Sequence, residues 1–204
     1  MLSAALNRMN AAILRRKTDS YRQYPSGKTA VIMVDAIPAY LADQDGLIRK
    51  IKQIMDFARH RGMPVIFSDF GGSRPARDLV PGVKRLFDLL EKADAEATTS
   101  AAFWHGESPL THQRQSLSAF FDGTLATQLS KSGIEHVVLA GAFADLSGDS
   151  TARHASELGF HTTVLSDVFG ATSKGAHAAT LGITLPRLVH QVTTAESWQR
   201  DVLA

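Results

Sequence analysis

Residues 29–35 read TAVIMVD, from Thr29 to Asp35, and this stretch decides the fold. An unbroken run from Ala30 to Val34, rich in β-branched residues and closed by Asp35 and then Pro38, predicts a short buried strand. Continuity of the apolar run, in place of alternation, means that both faces of the sheet are covered. That is the pattern of a parallel sheet with helices on either side. The pattern recurs at 64–67, 136–140, 162–166 and 188–192, and the irregular segment 93–117 has room for one short strand more. Between these runs the apolar period becomes helical. Leu47, Ile48, Ile51, Met55 and Ala58 predict a helix stopped by Gly62, and Val83, Leu86, Leu89 and Leu90 form a second amphipathic stretch. Further helices are expected at 125–129, from about Ser147 to Leu158, near 173–182 and at the C-terminal end. The expected architecture is α/β: one Rossmann-like, doubly wound domain over 29–204, with about six mostly parallel strands and helices on both faces.

Composition narrows the function classes. The chain has 204 residues, 44% of them hydrophobic and 21% charged, which is ordinary for a globular domain. Its net charge of +2 is too small for a whole-surface electrostatic case for nucleic acid. The charge is uneven, with +5 over residues 1–30 from Arg8, Arg15, Arg16, Lys17, Arg22 and Lys28 against Asp19. Leu2, Ala5, Leu6, Met9 and Ile13 fall at helical spacing before that basic cluster, so residues 1–28 are expected to form a basic helical arm packed on the body or on a second subunit. No stretch is long and apolar enough to span a bilayer, and the basic residues follow the apolar ones, opposite to a signal peptide. There is no cysteine, which excludes disulfides, thiolate catalysis and Cys-ligated zinc. A cytoplasmic protein that binds a small molecule, with no nucleic-acid or membrane partner, is the expectation.

In a parallel sheet, ligands bind outside the carboxyl ends of the strands. Asp35 closes the first strand, Ser68 and Asp69 the second, and Ser166 and Asp167 the fifth, while Gly141 to Ser147 join the fourth strand to its helix. A carboxylate directly after an apolar run is partly desolvated, which suits Asp35 to general acid or base work; a loop or helix-capping role is the other reading. Ser147 stands where strand turns into helix, where unpaired backbone N–H groups can stabilise an oxyanion or a helix-capping hydroxyl can sit. It is not a serine-hydrolase elbow, since Asp145 and Asp149 occupy the required glycine positions. The eight histidines show no metal-ligand spacing, and Gly71-Gly72 lacks the pattern of a phosphate-binding loop. Phe103 and Trp104 read as core residues, with the lining of a pocket as the other reading.

Three ordered stretches resemble the isochorismatase-like hydrolases, also called cysteine hydrolases. They are Ala30 to Asp35 with Tyr40; Ser118-Ala119-Phe120 with Gly123-Thr124-Leu125; and Val137 to Asp145, continuing through Ser150 to Arg153 and Leu158-Gly159 to Val164–Asp167. The resemblance covers residues 29–194 and implies a Rossmann-like fold, hydrolase activity and homo-oligomers.

Carried over position by position, it implies that Asp35 is the catalytic aspartate, that Arg114 stands at the family's lysine, and that Ser147 stands at its cysteine. It also implies a cis peptide at Ala142–Phe143, which would place the N–H groups of Phe143 and Ser147 in an oxyanion hole. Ile37 replaces the usual glutamine, and Asp69-Phe70-Gly71 replaces the Asp-x-His metal element of nicotinamidases, so neither metal nor cofactor is expected. Phe143 in Gly141-Ala142-Phe143-Ala144 resembles the cysteine-free branch, in which an aspartic acid protonates an enol ether. The expected function is hydrolysis of a small anionic substrate, an enol ether such as isochorismate or an amide. Asp35 would be the general acid or base and Arg114 the anchor for negative charge. The alternative is a binding or assembly protein that has lost catalysis, since Ile37, Arg114 and Ser147 all depart from the family pattern.

Overall fold

In the computed structural model, which describes residues 24–41, 46–71, 80–82, 84–85, 87–88, 104 and 110–203, Thr29–Val34 is a strand with all six residues buried. In chain order the strands are β1 (Tyr24–Pro25), β2 (Thr29–Val34), β3 (Val65–Phe70), β4 (Leu110–Arg114), β5 (His136–Gly141), β6 (His161–Phe169), β7 (Gln191–Thr193) and β8 (Val202–Leu203). Six of them form one sheet in the order β4-β3-β2-β5-β6-β7, and every pairing is parallel. β1 and β8 make a separate two-stranded ribbon. The order runs outward from β2 on one side and from β5 on the other. β2 and β5 therefore flank the topological switch point, where an open α/β sheet leaves a crevice for ligands.

Each face of the sheet buries its own core. On one side, Val31, Met33, Val65, Phe67, Val138 and Leu165 pack against Ile51, Ile54 and Met55 of the helix Leu47–His60 and against Trp198. That helix forms because its apolar residues fall on one stripe, and it ends where Gly62 adopts φ 69°. On the other side, Ala30, Ile32, Leu139 and Val164 pack against Leu125 and Leu129 of the helix Thr124–Lys131 and Ala152 and Ala155 of the helix Asp149–Glu157.

The strands of the six-stranded sheet lie where the apolar runs put them, apart from their ends. β3 continues past Phe67 to Phe70 because Ser68, Asp69 and Phe70 find partners in His112, Gln113 and Arg114 of β4. β4 itself is the short strand expected within 93–117. The strand expected at 188–192 is instead Gln191–Thr193, since Leu185–Arg187 forms a 3-10 turn with Pro186 in its first turn. The Leu188 and Val189 N–H groups both close onto the Leu185 carbonyl, so no ladder starts before that turn ends. The arm expected over residues 1–28 lies outside the described residues up to position 23, and its remainder is β1 and the turn Ser26–Lys28. Val83, Leu86, Leu89, Leu90 and Phe103 also lie outside them, while Phe87 packs on Phe70 with ring centroids 4.7 Å apart. No helix among the described residues is long and apolar enough to cross a membrane.

Candidate active site

Asp35 is the first residue beyond β2. Its φ of 49° lies in the left-handed region, which aspartate tolerates better than most residues, and its N–H donates to the Ser68 carbonyl at 3.1 Å. The turn aims the carboxylate inward, where it is fully buried. Its Oδ2 accepts two hydrogen bonds, one from Arg114 Nη2 and one from Ser147 Oγ, each at 2.5 Å. Arg114 Nη1 donates to the same Ser68 carbonyl at 2.5 Å. The ends of β2, β3 and β4 thus meet the loop after β5 in one dry cluster, with Arg114 1% exposed and Asp35 and Ser147 at 0%. Oδ2 is thus the shared acceptor of a guanidinium and a hydroxyl. Two buried atoms of the cluster, Asp35 Oδ1 and Arg114 Nε, have no hydrogen-bond partner among the described residues.

Ser147 reaches Asp35 because of the shape of its loop. Gly141 has φ 151°, and a Cβ there would overlap the Val34 carbonyl oxygen, so only glycine lets β5 leave the sheet this close to β2. The Ala142 N–H donates to that same carbonyl at 3.1 Å. Ala144–Gly148 then forms a π turn before the helix Asp149–Glu157, closed by the Gly148 N–H on the Phe143 carbonyl at 2.8 Å. The Ala142–Phe143 peptide is trans, which corrects the cis bond implied by the resemblance: the turn at Gly141 already redirects the chain. Nor does Ser147 cap a helix. The helix cap is Gly148, and the Ser147 hydroxyl is directed to Asp35. The far side of the loop is clamped by Asp145, whose carboxylate accepts the N–H of Thr172 at 3.0 Å and also its hydroxyl.

A second layer stands behind Ser68. Its Oγ lies 3.2 Å from His112 Nδ1, and His112 Nε2 lies 3.4 Å from Thr124 Oγ1 and 3.9 Å from Asp122. Burial holds the His112 imidazole below its usual range against the pull of Asp122, and the nearby Arg114 pushes it the same way.

Asp35, Arg114 and Ser147 are thus brought together, and Phe143 lies on the same loop with its ring 5.0 Å from that of Tyr40. Asp167 is placed elsewhere, accepting the Ala195 N–H at 2.8 Å and facing Lys50 Nζ at 3.4 Å. Trp104 is a core residue, its Nε1 donating to the Ala36 carbonyl at 2.6 Å. Among the described residues, no group of three or more His, Cys, Asp or Glu side chains is arranged to hold a metal ion. Sequence reasoning missed the Ser68 carbonyl, which holds both Asp35 and Arg114 and, as a main-chain group, carries no sequence signature. It also missed a cavity of about 700 Å³ at the carboxyl ends of the strands, lined by Tyr40, Phe143, Phe169, Lys174 and His177, whose walls come from distant segments.

Comparison with known proteins gives the family and the fold. The isochorismatase domain matches residues 29–196. The chain is 29% identical to YwoC, an uncharacterized isochorismatase family protein of Bacillus subtilis (strain 168), over 83% of this chain and 92% of that one. It is 32% identical to YecD, an uncharacterized isochorismatase family protein of Escherichia coli O157:H7, over 78% and 89% of the two chains. The fold is that of a cysteine hydrolase from Pseudomonas syringae pv. phaseolicola, with a TM-score of 0.71 at 17% identity over 86% of this chain and 92% of that one. With an all-parallel sheet whose switch point holds the buried aspartate, and with a domain match running from β2 into the last helix, the chain belongs to the isochorismatase family.

Proposed function

We propose that this chain is a hydrolase of a small, anionic ester or amide, with Ser147 as nucleophile, Asp35 as general base and Arg114 as the cation that fixes Asp35. One observation carries this reading: Ser147 Oγ donates to Asp35 Oδ2 at 2.5 Å while Arg114 holds the same oxygen. A nucleophile hydrogen-bonded to a base that a third group orients is the arrangement acyl transfer needs. In the reaction, Ser147 Oγ forms a bond to the substrate carbonyl carbon and its proton passes to Asp35. The carbonyl oxygen becomes an oxyanion, for which the backbone N–H of Ser147 in the loop-to-helix turn is the donor in this reading. Collapse expels the alcohol or amine, which takes the proton from Asp35. Water then attacks the acyl-serine by the same route, releasing the acid and restoring Ser147. Self-association, implied by the family resemblance, belongs to the same proposal.

A second reading rests on Asp35 Oδ1, which has no hydrogen-bond partner among the described residues. Protonated there, Asp35 would act as general acid on an enol ether such as isochorismate, and water would add to the resulting cation before pyruvate leaves.

One experiment separates these readings. The protein is incubated with para-nitrophenyl acetate and analysed by mass spectrometry, and pyruvate release from isochorismate is followed in parallel. The nucleophile reading expects an acetyl group on Ser147, absent in Ser147→Ala and formed far more slowly in Asp35→Asn. Hydrolysis that survives in a folded Ser147→Ala variant refutes it. Pyruvate release lost in Asp35→Asn but kept in Ser147→Ala supports the second reading. No turnover of either compound leaves the binding or assembly role.

A further inference from the structure

We propose that the cavity of about 700 Å³ beside Tyr40 and Phe143 binds the non-reacting, carboxylate-bearing part of the ligand, and that Lys174 is its specificity-determining cation. The word substrate applies to that ligand only if the hydrolase reading holds; the site itself stands on its own geometry. The cavity has the size of a small-molecule pocket and lies outside the carboxyl ends of β2, β5 and β6, where this sheet class binds ligands. It is tied to the reactive cluster through the chain. Phe143 is four residues before Ser147, and Tyr40 five after Asp35. Their rings, tilted by 51°, make an apolar wall that Phe169 extends.

Charge accounting selects Lys174. Arg114, expected to anchor an anion, is 1% exposed and gives both terminal nitrogens to Asp35 and the Ser68 carbonyl. Asp167 also lines the cavity, but its oxygens are met by the Ala195 N–H and by Lys50, so that pair brings no net charge. His177 donates from Nε2 to the Phe169 carbonyl at 3.1 Å. Thr172 is engaged by Asp145, and the Ser173 side chain accepts from the Ala176 N–H. Lys174 is exposed, lines the cavity and has no carboxylate partner among the described residues. A flat apolar body with a carboxylate satisfies both features of the pocket, the aromatic wall and the unmatched ammonium.

The test uses benzoate as probe and benzamide as its neutral isostere, titrated by NMR into the wild type, Lys174→Met and the distant surface control Lys131→Met. Benzoate should bind more tightly than benzamide to the wild type. Its affinity should fall about fivefold or more in Lys174→Met, as one partly desolvated ion pair predicts, and stay unchanged in Lys131→Met. Equal benzoate affinity in the wild type and Lys174→Met, no preference over benzamide, or no binding of benzoate overturns the proposal. A second arm compares kcat/KM for para-nitrophenyl hemiglutarate and para-nitrophenyl butyrate. The anionic-to-neutral ratio should fall about fivefold in Lys174→Met through KM, and an unchanged ratio counts against the proposal. If the wild type hydrolyses neither ester, the hydrolase reading fails, and the benzoate titration still decides the pocket.

Discussion

Replacing Arg114 by methionine removes the counter-charge of Asp35 with little loss of volume. Both side chains of the pair are 1% exposed and lie 2.5 Å apart, so water cannot take over the role of the guanidinium. Asp35 would keep only the Ser147 hydroxyl, and the Ser68 carbonyl would lose one of its two donors. Removing one partner of a buried ion pair typically costs about 3–5 kcal/mol, because the remaining charge stays buried without compensation. For a domain of this size, roughly 2–4 °C per kcal/mol places the fall in Tm at about 6–20 °C. The assay is urea unfolding at pH 7 followed by tryptophan fluorescence, since Trp104 and Trp198 are both buried and report on the fold. Arg114→Lys keeps the charge and loses the planar fork, so its loss should be intermediate. The Asp35→Asn, Arg114→Met double variant removes both charges and should recover at least about 2 kcal/mol relative to Arg114→Met. A single-variant cost below about 1 kcal/mol, or a double variant as unstable as the two single costs combined, would refute the reasoning.

Three more expectations are open to direct measurement. Burial, reinforced by the neighbouring His161 and His190, lowers the His136 imidazole from 6.5 to about 4 against the opposing pull of Glu135. Between those values the unfolded chain binds a proton that the folded chain refuses. The contribution to stability is therefore complete above pH 6.5 and shrinks as pH falls towards 4, by at most about 1.4 kcal/mol per pH unit. Urea titrations at several pH values should show this slope in the wild type and a shallower one in His136→Phe; parallel profiles would contradict it. Gly141→Ala drives a methyl group into the Val34 carbonyl and should cost at least about 3 kcal/mol or abolish soluble expression, whereas stability close to the wild type would show that β5 can leave β2 by another path. Asp145→Ala releases Thr172 and should cost about 1–2 kcal/mol. Trypsin should then cut faster at Lys174, and an unchanged digestion rate would show that the loop does not depend on this clamp.

The buried strands were legible because an unbroken apolar run has few other uses in a chain of this composition, and β2 and β5 lie where their runs predict. Leu188 misled because periodicity does not report Pro186, which initiates a 3-10 turn and delays β7. Asp35 was legible as a strand-end carboxylate and Ser147 as a residue of the strand-to-helix turn, while Arg114 was legible only through the order and spacing of three motifs. None of the three shows alone in the sequence that it shares a hydrogen-bonded cluster with the others. Asp35 and Ser147 are 112 residues apart, and Asp35 and Arg114 are 79 apart.

From the sequence alone came the fold class, the family resemblance and the chemical types available at the site, since local apolar patterning and motif order are properties of the chain itself. Tertiary structure alone decided which atoms those groups face. Parallel pairing brings the ends of β2, β3 and β4 together, and the close approach at Gly141 carries the π turn and Ser147 over to Asp35. The same packing turns Arg114 inward and leaves Lys174 as the exposed cation of the neighbouring cavity. A charged side chain bonds to whatever the assembled fold places within about 3 Å of it, and that neighbour is set by long-range pairing.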